Sequence, residues 1–114
     1  MKETLVFVKH ILESIKRIES FMEKVSEESF RTNEEKQSAV IRQIEIIGEA
    51  TKNLPESFRK KYKDVSWADI AKTRDKMIHH YFGVDLDIVW EIIKEEIPKL
   101  KKQIKKIKEN ELRI

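Results

Sequence analysis

The sequence predicts an all-α protein, an antiparallel bundle of four to five helices, and three observations carry that expectation. Apolar residues recur every three or four positions almost throughout. No window sustains the two-residue alternation of a half-buried strand, and no linker, repeat or low-complexity tract divides the 114 residues. Residues 1–114 therefore read as a single domain, small enough to gain stability from pairing with a second copy.

Taken in order, Leu5, Val8, Leu12, Ile15, Ile18, Met22 and Val25 give the first helix one continuous apolar stripe. Thr32 followed by Glu35 has the form of a capping box and opens a second helix, with Val40, Ile44, Ile47, Thr51 and Leu54 on its inner face. Pro55 forces a stop and begins a short helix carrying Phe58 and Tyr62. Ser66 with Asp69 reads as the next cap, starting a helix through Trp67, Ile70, Met77 and Ile78 that Gly83 ends. Asp85 caps the last long helix, which buries Val89, Ile92, Ile93, Ile97, Leu100 and Ile104 and which Pro98 should kink or break. Trp67 and Trp90 suit core or interface anchors better than base-stacking platforms.

Charged residues make up 39% of the chain, yet the net charge is only +3 and both signs are dispersed. That is a surface laced with ion pairs, unlike the coat of a nucleic-acid-covering polycation. With no Cys, disulfides, thiolate catalysis and cysteine-ligated zinc are excluded. No apolar signal region and no membrane-length span occurs in the sequence, so a cytoplasmic location without membrane attachment is the expectation. Heavy Lys and Glu use is also the compositional tilt of heat-adapted proteins.

Chemistry is concentrated in Arg74-Asp75-Lys76-Met77-Ile78-His79-His80-Tyr81. An Arg grips a phosphate with a planar fork, and a His moves a proton near neutral pH; together they suffice to cleave a phosphodiester with no metal or other cofactor. On a continuous helix Asp75 lies one turn before His79 and can orient its ring, while Arg74 and Tyr81 share a stripe, roughly 20° apart. Arg74 and His79 stand roughly 140° apart, so one copy makes an awkward site. Two copies across a two-fold axis bring two Arg and two His to one cleft. In the last turn of such a helix the dipole favours imidazolium, which suits a phosphate binder or general acid better than a general base. The same residues also describe a solvated face or an intrahelical ion-pair network. A metal site at His79-His80 is disfavoured, because adjacent helical positions diverge by roughly 100°. The run Lys99, Lys101, Lys102, Lys105, Lys106 and Lys108 is equally compatible with an RNA backbone track and with a solvated face that complements the dipole of its own helix.

Arg74-(four residues)-His79-His80-Tyr81 matches the Arg-x4-His-x-Tyr signature of HepT-like toxins in the HEPN superfamily. The resemblance extends through Ile46-Ile47-Gly48-Glu49-Ala50, Trp67-Ala68-Asp69-Ile70-Ala71 with Arg74-Asp75, and His80-Tyr81-Phe82-Gly83-Val84-Asp85 with Val89-Trp90, covering about residues 40 to 100. It implies a HEPN-type bundle that dimerises around a shared cleft. It further implies a metal-independent endoribonuclease acting as the toxin of a type II toxin-antitoxin pair, with an MNT-type minimal nucleotidyltransferase as antitoxin. By the same resemblance Arg74 and His79 are the catalytic pair, Asp75 helps to position it, and Tyr81 is the tyrosine that the antitoxin adenylylates. His80 fills a variable slot and has at most a supporting role. The competing expectation is a non-catalytic HEPN module that binds a nucleotide or a partner nucleotidyltransferase.

Overall fold

The computed structural model describes residues 2–79 and 83–113, with the side chains of Lys2 and His79 outside that description. It is an all-α bundle with one very small hairpin, measuring 46 × 31 × 20 Å. Helix α1 (Lys2–Met22) packs along α3 (Glu34–Lys52) and against α8 (Ile97–Leu112). Its stripe delivers Val8, Ile11, Leu12, Ile15, Ile18 and Met22 to the core, where they meet Val40, Ile44 and Ile47 of α3 and Leu100, Ile104 and Ile107 of α8. The three-to-four spacing of the sequence is thus converted directly into one apolar interior.

Between these long helices lie short ones that the periodicity only partly announces. Helix α2 (Glu27–Arg31) forms because Ser26 accepts the Ser29 N–H at 3.1 Å, and it buries Phe30 against Trp90. The expected capping box at Thr32 is not used. Thr32 closes α2, its hydroxyl turned back to the Glu28 and Ser29 carbonyls, and Asn33 caps α3 instead, accepting the Lys36 N–H at 2.9 Å. Pro55 stands at the start of α4 (Glu56–Lys61), as the sequence predicts. Trp67 is buried, and its indole N–H donates to the Tyr62 carbonyl at 2.9 Å. Trp90 is half-buried, with Lys94 above its ring.

The stretch expected to be one helix from Ser66 to Gly83 is divided. It forms α5 (Trp67–Ala71), α6 (Thr73–Met77), and an antiparallel pair, β1 (Ile78–His79) with β2 (Gly83–Val84). The Thr73 hydroxyl donates to the Asp69 and Ile70 carbonyls, closing α5 before α6 begins. At Ile78 the backbone turns extended (φ −113°, ψ 116°), and β-branched Ile78 pairs with β-branched Val84. The Asp85 N–H reaches the Met77 carbonyl at 2.7 Å, tying the two ends of this excursion together. Gly83, at φ +79°, supplies a left-handed residue to the hairpin in place of the expected helix C-cap.

Asp85 then caps α7 (Leu86–Glu91), accepting the N–H groups of Asp87 and Ile88. Pro98 neither breaks nor ends the last helix. The turn before it, Ile92–Glu96, widens to a π-helix in which the Ile97 N–H donates to the Ile92 carbonyl, and α8 follows. A wider turn accommodates a residue that has no N–H to give and whose ring would crowd the preceding carbonyls.

Candidate functional site

The residues that position Arg74 lie on α3. At Gly48 this helix passes close to the end of α5: a Cβ there would stand 3.4 Å from the Ile70 carbonyl oxygen and 3.7 Å from that of Ala71, room for a methyl group and little more. With α5 seated on Gly48, α6 runs over the same face and carries Arg74 to Glu45, one turn before Gly48. The Arg74 Nε donates to Glu45 Oε2 at 2.7 Å. Glu45 is mostly covered, with its side chain 23% exposed, whereas that of Arg74 is 65% exposed. The carboxylate therefore acts as a fixed post, and the guanidinium leans out from it.

Around this pair lies a cleft of about 370 Å³, bordered by Arg42, Gly48, Glu49, Lys52 and Asp75. Formal charges balance across it, but the cations differ in availability. Lys52 is paired with Glu49 at 3.5 Å, and among the described residues Arg74 is held through Nε alone. Arg42 is exposed and makes no ion pair with a described residue. Two cationic groups thus face the opening with donors to offer, which is the arrangement an oxyanion of phosphate requires.

The sequence-predicted residues are only partly brought together. Arg74 and Asp75 are adjacent on α6, both exposed. Asp75 accepts no side-chain hydrogen bond from a described residue; the partner that orients Arg74 is Glu45. The backbone of His79 is in β1, paired with Gly83, so it is not part of a helix that carries Asp75. The one-turn stacking of Asp75 on His79, and the helix-dipole effect expected on His79, both presuppose a helix that stops at Met77. His80 and Tyr81 lie outside the described residues, as does the His79 ring, and the Arg74–Tyr81 stripe with them. Among the described residues no three His, Cys, Asp or Glu side chains are grouped to hold a metal ion, and no helix is long and apolar enough to cross a membrane.

Glu45 is the functional-site residue that sequence reasoning missed. Its charge lies on the helical face of Gly48 and Glu49, but nothing local announces a partner 29 positions away. Only the crossing of α5 and α6 over Gly48 creates the pair.

The all-α architecture is consistent with a HEPN-type bundle, and α6 displays Arg74 from it five residues ahead of His79. The family model described as "Ribonuclease HepT-like" matches residues 11–107, and the chain belongs to that family. A relative from Methanocaldococcus jannaschii, whose name joins a gamma-glutamylcyclotransferase to a provisionally assigned RNase, is 51% identical over 108 residues, covering 95% of this chain and 49% of the relative. The chain thus spans about half the length of that two-part protein. A protein of Thermococcus cleftensis named "Probable ribonuclease HepT" is 42% identical over 102 residues, covering 90% of this chain and 93% of its own. Another, from Caldanaerobacter subterraneus and provisionally named an RNase, is 44% identical over 111 residues, 97% and 99% of the two chains. No solved structure matches the chain.

Proposed function

We propose that this protein is an endoribonuclease, the toxin of a toxin-antitoxin pair, which cuts RNA without metal in a cleft completed by a second copy. The observation that carries this reading is Arg74, exposed at the cleft mouth and held by described residues through Nε alone, which leaves the end of its fork for a phosphate, five residues ahead of His79. Membership of the HepT-like family supports the same reaction.

The RNA supplies its own nucleophile. His79 of one protomer takes the proton of the 2'-OH, the oxygen attacks the adjacent phosphorus, and the bond to the 5'-oxygen breaks. The His79 of the second protomer donates a proton to that leaving oxygen, giving a 2',3'-cyclic phosphate and a 5'-hydroxyl. Arg74 binds the phosphate and stabilises the charge that gathers on its oxygens. Asp75, next to Arg74 at the cleft, and His80 have supporting roles. A nucleotidyltransferase antitoxin silences the site by joining the Tyr81 phenol oxygen to the α-phosphorus of ATP, with pyrophosphate leaving. The attached AMP then offers Arg74 an anion in place of substrate.

Incubation of the purified protein with total RNA in EDTA tests the reading. Cleavage to cyclic-phosphate ends, absent with His79→Ala and absent on DNA, is the expected result. Cleavage that survives His79→Ala, or that needs Mg²⁺, overturns the mechanism. Growth arrest that requires His79, and a mass increase on the Tyr81 peptide after treatment with antitoxin and ATP, test the toxin and its silencing.

A further inference from the structure

Between Ile97 and Lys108 the chain has six lysines and no acidic residue, in a protein where both signs are otherwise interspersed. The fold sorts these lysines. Lys101 is half-buried and bound to Glu19 at 2.8 Å, so its charge serves the contact of α8 with α1. Lys99, Lys102 and Lys106 are exposed and make no ion pair with a described residue. Their spacing of three and four places them on one line along α8, about 10 Å from end to end, with Arg113 further along the same line.

This line has depressions beside it. One, between α8, α3 and the α5–α6 corner, is bordered by Lys99, Gln103, Ser66, Ile70 and Thr73. The next, between α8 and the end of α4, is bordered by Gln103, Lys106, Asn110, Arg113 and Lys61. Gln103 borders both, so the two adjoin as a furrow with Lys99 at its first part and Lys106 at its second, and Glu96, Asp64 and Glu109 also stand on its border. Thr73, on the border of this furrow, immediately precedes Arg74, which borders the cleft on the other flank of α6. A single helix, about 10 Å across, separates the two.

We propose that the line Lys99, Lys102 and Lys106 is a second contact for the substrate, holding the phosphate backbone of the RNA strand several nucleotides away from the bond that is cut. This rests on the nuclease reading for the identity of the strand. Free ammonium groups repeating along one line match the repeating charge of a phosphate chain, and the furrow gives the sugars and bases a surface to lie on. A membrane is a poorer occupant, because the line carries no exposed large apolar residue to insert; Leu112, the exposed one on α8, points from a different side of the helix. The lysines make no direct contact with the scissile phosphate, so their effect is confined to substrates long enough to cross α6.

The test uses the intact protein and a 12-nucleotide single-stranded RNA, 2'-O-methylated throughout so that it binds without being cut. Affinity is measured against salt for wild type, for the triple variant Lys99→Ala/Lys102→Ala/Lys106→Ala, and for a control triple variant at exposed Lys9, Lys16 and Lys63. The α8 variant should bind at least about tenfold more weakly at low salt and lose about two units from the slope of log affinity against log salt, near 0.7 for each phosphate contact removed. The control should stay within about twofold of wild type. An α8 variant that binds like wild type, or a control that loses as much, overturns the proposal. In parallel, a cleavable dinucleotide should be cut equally by wild type and α8 variant, while a 12-nucleotide RNA is cut more slowly by the variant through KM. Failure of wild type to cut either RNA refutes the nuclease reading, and the binding comparison still decides whether α8 holds a nucleic acid strand.

Discussion

In the proposed reaction Arg74 and Glu45 divide one task at the scale of single side chains. A guanidinium on a free stem loses rotamer freedom when it grips a ligand, and Glu45 removes most of that loss in advance by fixing Nε. Arg74→Ala should lower the cleavage rate by about 10²- to 10³-fold, as loss of a donor to a developing charge generally does. Because this side chain is largely exposed, its stability cost should stay within about 0.5 kcal/mol, measured by thermal unfolding. Glu45→Ala should lower kcat while leaving KM for RNA unchanged or smaller, since it frees the Arg and also removes a negative charge from the cleft. Glu45→Gln, whose amide oxygen still accepts from Nε, should recover part of kcat. Equal kcat for all three residues at position 45 would show that Arg74 needs no post. Arg74 was legible in the sequence through its spacing from His79; Glu45 was not, because an ion pair between distant residues has no periodic signature.

Among the elements, the long helices were legible and the punctuation was not. Apolar spacing alone identifies α1, α3 and α8, since each buries a stripe wide enough to dominate its sequence. Asn33 displaced Thr32 as the cap because either side chain can accept the first N–H groups, and the choice is made by Thr32 turning back to close α2. The helix expected across Met77 fails for a related reason. Periodicity continues through Ile78, but pairing of Ile78 with Val84 and the Asp85-to-Met77 bond reward an extended backbone there. Gly48 lies where α5 passes close to α3, and its replacement can be graded by size. Gly48→Ala should fold and cleave normally, with its Cβ at ordinary contact distance from the Ile70 carbonyl. Gly48→Leu should push α5 and α6 off α3, costing about 1–3 kcal/mol in urea unfolding and separating Arg74 from Glu45, with cleavage lost.

A second element contact predicts a pH dependence. The Lys61 ammonium and the Tyr62 hydroxyl both donate to the Glu111 carboxylate, joining the end of α4 to α8. Lys61 foremost, then Tyr62, holds the Glu111 carboxyl below its usual range. A folded-state pKa that is depressed contributes stability above the unfolded value and loses it as pH falls through the folded one. Glu111→Gln should therefore be less stable than wild type at neutral pH, and the gap should close on acidification below the ordinary carboxylate range. Chemical unfolding at pH 7 and near pH 3 checks this; a gap that is the same at both would show that charge has no part in the contact. At the alkaline end, burial and then the Glu111 hydrogen bond push the Tyr62 phenol up. That contribution is present below the ordinary phenol range and is lost as pH rises through the folded value.

For the whole molecule, the proposed reaction needs a base and an acid at one phosphate, and one chain offers a single His79 to supply them. Specific cleavage activity should therefore fall on dilution in step with the dimer fraction measured by light scattering. Activity that is constant per protomer down to a fully monomeric sample would place the whole site in one chain. The even balance of charge over the molecule, legible in composition, concealed how unevenly α8 is built, because a net charge of +3 averages over the run from Ile97 to Lys108, which has six lysines and no acidic residue.

The widened turn at Ile92–Glu96 has a bearing on how such a chain can change over time. A π-turn holds one residue more than the α-turn it replaces, so deletion of a single residue there would restore regular helix while leaving both flanking segments helical. Because the wide turn and the regular one each complete about one revolution, the segment after that deletion would keep its facing, whereas a deletion elsewhere in the helix would rotate everything after it by about 100°. The apolar side of α8 would leave the core with that rotation, and the lysine line would swing away from its furrow. A lineage can therefore shorten the helix by one residue at this turn, yet a single deletion anywhere after it turns the rest of α8 around.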